Sequence, residues 1–248
     1  MGRIDTRLFF RIKLLFRHPK RVIKHLIFRH EDYSRIRLSE FQRHLVSPHV
    51  IIEAGAADGI DTDFFLKYFP SASIFAVEPV NEQFRYLNEK FTDQENLKLF
   101  NFAFSERNGE SELIIGSSAG QFGGMGSSSI LEPLEHEKYF PLITFGRRQQ
   151  VVTKKLDTFL NENNLQLVDL LWLDIQGKEL DVLKASRSAL VEKVKLLHIE
   201  ISRISLYLGM PKEQEIRKFL KDHGFICVVD RVGAISGNAL YLNTRYAK

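Results

Sequence analysis

The sequence predicts an α/β protein: a mostly parallel sheet with helices on both faces and an antiparallel hairpin at its C-terminal end. Three observations carry this. From residue 48 onward, short apolar runs suited to buried strands alternate with helical segments. Breakers punctuate the alternation where helices must stop, at Pro70 and Gly224. The last two strand-like runs, "FICVVD" and "ALYLN", are joined by a glycine-containing turn and read as an antiparallel pair.

Taken in order, Val50–Glu53 is the first strand, followed by a helix from about Thr62 to Tyr68. Ser73–Glu78 ("SIFAVE") is the second strand, and its helix spans about Asn81–Phe91 with Asn81 as N-cap. Leu97–Phe104 reads as one continuous third strand, and "GESELIIG" as a further strand, part of an added hairpin. The stretch Gly116–Pro133 is a long Gly/Ser-rich loop without the Gly-Lys-Ser/Thr ending of a phosphate loop. A lid or a flexible insertion both suit it. A helix near Leu156–Asn163, a strand Asp169–Asp174, a helix Lys178–Ala185, a strand Val194–Ser202 and a helix Lys212–His223 complete the alternation.

Composition narrows the class. A 44% hydrophobic content and an ordinary charged fraction of 27% support a packed core in a chain of 248 residues. One cysteine, Cys227, excludes an internal disulfide and suits a reducing, cytoplasmic compartment. No apolar run approaches the roughly 20 residues of a membrane span. The net charge of +4 is unevenly spread. Residues 1–30 hold nine Lys/Arg against one Asp, or +8, so the remainder sums to −4. That basic excess sits on an amphipathic helical extension, residues 1–47, ahead of a domain at 48–248. Ile4, Leu8, Ile12 and Leu15 share a face opposite Arg3, Arg7, Arg11 and Arg17. Such a helix is suited to packing on the domain or to lying on an anionic membrane surface, the inner face of a cell membrane. Nucleic acid is not expected, because no recognition motif accompanies the charge.

The candidate site lies at the carboxyl ends of the strands, where open α/β sheets bind ligands. Strand one runs into Glu53, Gly55, Ala56, Asp58 and Gly59, a Glu-x-Gly-x-x-x-Gly pattern. The first glycine takes the tight turn and the second permits close approach where the helix begins. The strand-tip carboxylate distinguishes this run from the dinucleotide fingerprint, since it disfavours a pyrophosphate and favours an ammonium or sulfonium group. Glu78, followed by Pro79, ends strand two at the spacing where an acid accepts hydrogen bonds from ribose hydroxyls. A nucleoside with a positively charged amino-acid tail satisfies both, and S-adenosylmethionine is such a molecule. Ala103, Phe104 and Ser105 are candidates for the adenine slot. For proton removal the candidates are Asp174, which could instead cap the next helix, Glu200, which could instead hold a salt bridge, and His198, which could instead be a core histidine. Asp174, Glu179 and Asp181 could suggest a magnesium site of hard oxygen ligands, but two of the three read as solvated on a helix, and no required metal is expected.

The runs "IIEAGAADGIDT", "FAVEP", "FNFAFSE", "GSSSIL", "KLDTFL" and "LWLDIQGKELDVLKA" resemble the FkbM family of S-adenosylmethionine-dependent methyltransferases, over about residues 50–243. Asp174, Gln176, Gly177 and Glu179 match that family's Asp-x-Glu/Gln-Gly-x-Glu run. The resemblance implies a Rossmann-like, class I methyltransferase fold with a seven-stranded sheet. It also implies O-methylation of a hydroxyl on a sugar, glycan or secondary metabolite, with Asp174 and Gln176 near the cofactor. Glu53 stands where Asp is usual, Ala57 where Asn is frequent and Lys178 where a small residue is typical. Two other readings are a membrane-docking module that keeps the fold without turnover and a nucleotide-dependent oxidoreductase. Glu53 and the missing Gly-x-Gly-x-x-Gly count against the latter.

Overall fold

A computed structural model describes residues 35–120 and 122–247. The basic segment 1–30 lies outside the described residues. The main sheet has seven strands in the order β3-β2-β1-β7-β8-β10-β9. These are β1 (Val50–Ala54), β2 (Ser73–Val77), β3 (Leu97–Phe100), β7 (Val168–Leu173), β8 (Val194–Ser202), β9 (Phe225–Val232) and β10 (Ser236–Asn243). The first five are mutually parallel, and β10 runs antiparallel to both β8 and β9. The terminal hairpin is therefore present, with its second strand inserted between β8 and the edge strand β9.

The strands read as continuous apolar runs because the sheet is covered on both faces. One face presents Ile52, Val77, Leu171, Leu173 and Ile199 to helices α5 (Leu156–Glu162), α6 (Glu179–Ala185), α7 (Arg187–Lys193) and α8 (Glu213–Asp222). The other presents Ile51, Ile74, Leu170, Trp172 and Leu196 to α1 (Leu38–Gln42) and α2 (Ile60–Tyr68). Ile36, Phe41 and Leu45 are buried on this second face, so the core takes side chains from the segment before residue 48. Helix α3 (Asn81–Lys90) places Leu87 against Ala56 and Ala76, and α4 (His136–Tyr139) is a single turn that buries His136.

Three sequence expectations need correction. Leu97–Phe104 is not one strand: β3 stops at Phe100, and β4 (Ala103–Phe104) joins a second sheet. Asn101 makes the break, its Nδ2 donating to the carbonyls of Glu78 at 2.9 Å and Pro79 at 3.3 Å. Asn81 is not the N-cap of α3. Val80 holds that position, and no side chain caps the helix. Finally, the second sheet, order β4-β6-β5, contains an unforeseen strand, β6 (Thr144–Lys154), paired with β5 (Gly109–Ser117) in a long hairpin. This hairpin braces the loop after β2. Gln149 donates to the Pro79 carbonyl at 2.7 Å and accepts from the Asn81 N–H at 3.1 Å, and Arg147 makes a two-pronged ion pair with Glu82.

Candidate functional site

A cavity opens at the carboxyl ends of β1, β2 and β7, enclosing about 810 Å³ of empty space including its mouth. Among the predicted residues, Gly55, Ala56, Asp58, Glu78, Pro79, Ala103, Phe104, Asp174 and Gln176 line it.

The turn after β1 has little freedom. Gly55 has φ +92°, and a Cβ built there would stand 2.0 Å from the Asp174 carbonyl oxygen. Its N–H donates to the Val77 carbonyl at 2.9 Å, and the Asp174 N–H to the Ala54 carbonyl at 3.1 Å, so the ends of β1, β2 and β7 are tied together. Ala57 follows in the left-handed region at φ +50°, a conformation in which Asn is enriched. Its N–H is anchored on Glu78 Oε2 at 2.8 Å, while Glu78 Oε1 accepts from the Val80 N–H at 2.7 Å. Each carboxylate oxygen thus has one lone pair occupied and one left for a ligand hydroxyl. Burial pushes Glu78 up to about 7 against these two N–H donors, and the Asp174 charge adds to the rise.

The opposite wall is apolar, formed by Phe102, Ala103, Phe104, Leu113, Met125 and Ile130, a lining suited to a flat heteroaromatic ring. Met125 and Ile130 come from the Gly/Ser-rich loop, which is folded against the cavity. Ser128 Oγ donates to the Met125 carbonyl and Ser129 Oγ to the Gln176 carbonyl, at 2.6 and 2.7 Å. The first hydroxyl braces the loop, and the second ties it to the turn after β7. A strand-tip acid with a free lone pair on each oxygen, a turn with no room for a side chain and an apolar slot together fit an adenosine-based cofactor.

Beyond Asp174 a second, far narrower recess begins, with room for about one water molecule, lined by Glu200, Ser202, Tyr207, Met210 and Gly177. Gln176 borders both cavities. Asp174 is not an N-cap: Lys178 occupies the cap of α6, and Glu179 satisfies the turn by accepting from the Ile175 and Gly177 N–H groups. Among the described residues Glu200 is in no salt bridge. It accepts from Gln176 Nε2 at 3.0 Å, and burial, with the charges of Asp174 and Glu179, makes it hold its proton well above the usual carboxylate range.

Four predicted site residues stand outside both cavities, each for a physical reason. Glu53 is 1% exposed and faces the α2 side, where its Oε2 accepts from Thr62 Oγ1 at 2.7 Å. Burial, opposed by the Thr62 hydrogen bond and reinforced by Asp61 and Glu78, pushes it up to about 8, so it is largely protonated at neutral pH and offers no anion to a cationic tail. Gly59, at φ +76°, is the N-cap of α2 and lets Leu87 and Phe91 approach; a Cβ would meet Leu87 Cδ2 at 2.7 Å. Ser105 is buried and donates to Glu106. His198 is a core histidine, stacked on Trp172 with ring centroids 3.4 Å apart, and burial pushes it down to about 3. It shares the sheet face with Glu200 but lies one layer deeper.

These placements give two expectations. His198→Leu leaves kcat unchanged and is neutral or stabilising, since both ring nitrogens are buried without partners among the described residues. A loss of kcat with intact folding would return His198 to the chemistry. The second concerns pH. Glu53 at about 8 and Glu78 and Glu179 at about 7 retain protons that the unfolded chain releases near 4.5. The stability they confer is full below that value and is lost as pH rises through 7 to 8. Thermal unfolding of the cofactor-free protein should therefore fall from about pH 5 to about pH 8, and Glu53→Gln should flatten the fall, gaining on the order of a few kcal/mol at the upper end. Parallel curves for the two proteins would refute this.

Lys178, the residue out of keeping with the resemblance, lines the cavity with its stem. Its ammonium is held outside by Glu106 at 2.8 Å and Asp181 at 2.5 Å. Asp174, Glu179 and Asp181 thus face three different partners and do not converge. Among the described residues no group of three His, Cys, Asp or Glu is arranged to hold a metal. Sequence reasoning missed Phe102, Leu113, Met125, Lys178 and Tyr207 as neighbours of the site, because they arrive from loops and the second sheet.

A family profile described as the methyltransferase FkbM domain matches residues 53–227. The chain belongs to this family. The matched FkbM domain spans the cavity from Glu53 to the strands that carry Asp174 and Glu200, and the protein is an S-adenosylmethionine-dependent methyltransferase. Among curated proteins, the chain is similar to the 2-O-methyltransferase NoeI of Sinorhizobium fredii, 29% identical over 197 residues, covering 79% of this chain and 80% of NoeI. Among solved structures, it resembles fibrillarin of Aeropyrum pernix with natively bound S-adenosyl-L-methionine (14% identity, 85% of this chain and 76% of that one, TM-score 0.44). It also resembles the 1,6-didemethyltoxoflavin-N1-methyltransferase of Burkholderia thailandensis (14% identity, 98% and 92%, TM-score 0.42).

Proposed function

We propose that this FkbM methyltransferase methylates a hydroxyl oxygen of a saccharide or other small hydroxylated metabolite, with Asp174 taking the hydroxyl proton. The observation that supports it is the meeting of the cavity and the recess at Gln176, whose amide bridges Asp174 on the one and Glu200 on the other. On one side lies a slot suited to the cofactor, on the other a narrow polar recess bordered by Ser202, Glu200 and Tyr207. The resemblance to a protein named a 2-O-methyltransferase supports oxygen as the target.

In this reading Glu78 holds the ribose hydroxyls, the Gly55–Ala57 turn borders the amino-acid end, and Ala103 and Phe104 pack on the adenine. When bound, S-adenosylmethionine supplies an electrophilic methyl carbon. An alcohol is a poor nucleophile while it keeps its proton, so a carboxylate at the junction is the group that matters. Holding the acceptor against that carboxylate supplies orientation, worth roughly 7–11 kcal/mol when the alignment is good.

Incubation with S-adenosylmethionine labelled in its methyl group and panels of saccharides, lipid-linked glycans and polyketide alcohols tests the reading. Label in a product stable to mild base, as an ether is, supports it. Release as methanol, or label on nitrogen, overturns it. Glu78→Ala should weaken S-adenosylmethionine binding by roughly 10–100-fold, the loss of one to two charge-assisted hydrogen bonds. Calorimetry on a folded variant with unchanged affinity would remove Glu78 from the cofactor site.

A cytoplasmic location suits this reading, since a single thiol such as Cys227 stays reduced there. Among the described residues no helix is long and apolar enough to cross a membrane. The +8 charge of residues 1–30 supports attachment to an anionic membrane surface, which would bring the domain to a lipid-linked acceptor. Equal binding of the full chain and a variant lacking residues 1–30 to vesicles containing phosphatidylglycerol would dismiss that attachment.

A further inference from the structure

The junction between the cavities is closed by one side chain. Gln176 Nε2 donates to Asp174 Oδ1 at 2.6 Å and to Glu200 Oε2 at 3.0 Å, so a single amide bridges both carboxylates. Its Oε1 lies 3.1 Å from the Tyr207 hydroxyl, which donates to the Ser127 carbonyl at 2.6 Å. Its own carbonyl accepts from Ser129. The backbone is in the left-handed region at φ +53°, followed by Gly177 at φ +103°. Gln176 is therefore fixed at its side chain and its backbone by different elements. Such fixation at an uncommon φ persists only where the surroundings demand it.

We infer that Gln176 is a positioning residue, whose amide keeps Asp174 the bare carboxylate of a pair in which Glu200 carries the one shared proton. The inference rests on the assignment of Asp174 as base, and adds what decides its protonation. An amide N–H stabilises an ionised carboxylate more than a neutral acid. Two buried carboxylates this close do not both ionise, so they titrate as a pair. The groups facing them sharpen the need. Glu78 from β2, Asp61 from α2 and Glu179 from α6 all carry or can carry negative charge, and each feels Asp174. Tyr207 is a phenol held neutral by burial, and Ser236 from β10 hydrogen-bonds Glu200. Lys178, the cation lining the cavity, is spent on Glu106 and Asp181. Burial pushes both members of the pair up, and for Asp174 the hydrogen bonds from Gln176 and Glu200 oppose it. Without the amide the site would hold its proton where it must accept one.

Titration of side-chain carboxyls by carbon-13 NMR, on acceptor-free protein, tests this without turnover. In Gln176→Leu the Asp174 ionisation should move to higher pH by about one unit, a tenfold change in its constant. In Gln176→Met, which keeps the length of the side chain and lacks the amide, it should move as far. If Gln176 only filled space, neither variant would move the Asp174 titration, and that result overturns the inference. Should Gln176→Leu fail to fold, Gln176→Met decides it alone. With a methylated acceptor in hand, the acidic limb of kcat/KM should shift upward by the same tenfold while the S-adenosylmethionine Kd stays constant. A uniform loss at every pH with the limb unmoved overturns the inference as well. If no hydroxyl acceptor is ever methylated, the proposed function fails while the NMR titration still answers for Gln176.

Discussion

Asp174→Asn should lower kcat by about 10²–10⁴-fold and leave S-adenosylmethionine affinity unchanged. The amide keeps the shape of the side chain at the end of β7 and leaves the backbone bond from its N–H to Ala54 in place. It removes the capacity to accept a proton. Because that capacity matters as the hydroxyl is losing its proton, kcat and kcat/KM should fall together, with KM for the acceptor little altered. The variant should also lose the acidic limb of the pH profile. Full activity in Asp174→Asn would show that Asp174 is scenery, and attention would pass to Glu200. A large rise in KM at constant kcat would show that Asp174 binds the acceptor without helping the chemistry.

The second large effect is expected at Gly55. A methyl group there collides with the Asp174 carbonyl oxygen at 2.0 Å, an obstacle made of backbone in the middle of the sheet. The φ of +92° adds roughly 1–3 kcal/mol of strain for any residue with a Cβ. Relief requires the ends of β1 and β7 to part, breaking the Asp174 N–H bond to Ala54 and spoiling the floor of the cavity. Gly55→Ala should therefore cost more than about 4 kcal/mol, the range reserved for such backbone conflicts. For a chain of this size that is a fall of about 10 °C or more in Tm. Any folded fraction should fail to bind S-adenosylmethionine. Scanning calorimetry and cofactor titration check both halves, and a Tm within a degree or two of the parent would contradict the clash. Gly59→Ala is the useful contrast. Its Cβ would press on the side chains of Leu87 and Phe91, away from the cavity, so stability should suffer more than affinity.

How much of this was legible depended on depth and on distance along the chain. The central strands announced themselves because double-sided burial demands unbroken apolar runs, as in "DLLWL" of β7. Glu78 was readable because its position at a strand tip fixes where its carboxylate goes. Glu53 and His198 were misplaced because alternation along a strand reports the face on which a side chain lies and says nothing of how far below the rim it sits. Glu53 is one residue short of the end of β1, and His198 is two residues deeper than Glu200; that is enough to cover both with α1 and α2. Strand β6, "TFGRRQQVVTK", was invisible because its polar residues face water or brace other elements, as Arg147 does with Glu82 and Gln149 with the loop after β2. Tyr207 and Met125 reach the site from distant loops, and no local pattern encodes such an arrival.

The insertion of β10 between β8 and β9 has a consequence for biosynthesis. Every other strand of the main sheet has emerged from the ribosome while β8 still lacks one neighbour, and β9 has nothing to pair with until residues 236–243 appear. A nascent chain paused there carries an open hydrogen-bonding edge on the largely buried strand β8, the state most prone to wrong partners. Closure of the sheet thus waits for residues 236–243, although the cofactor turn has long been made. A chain cut at residue 235 would keep that turn and leave its sheet unclosed.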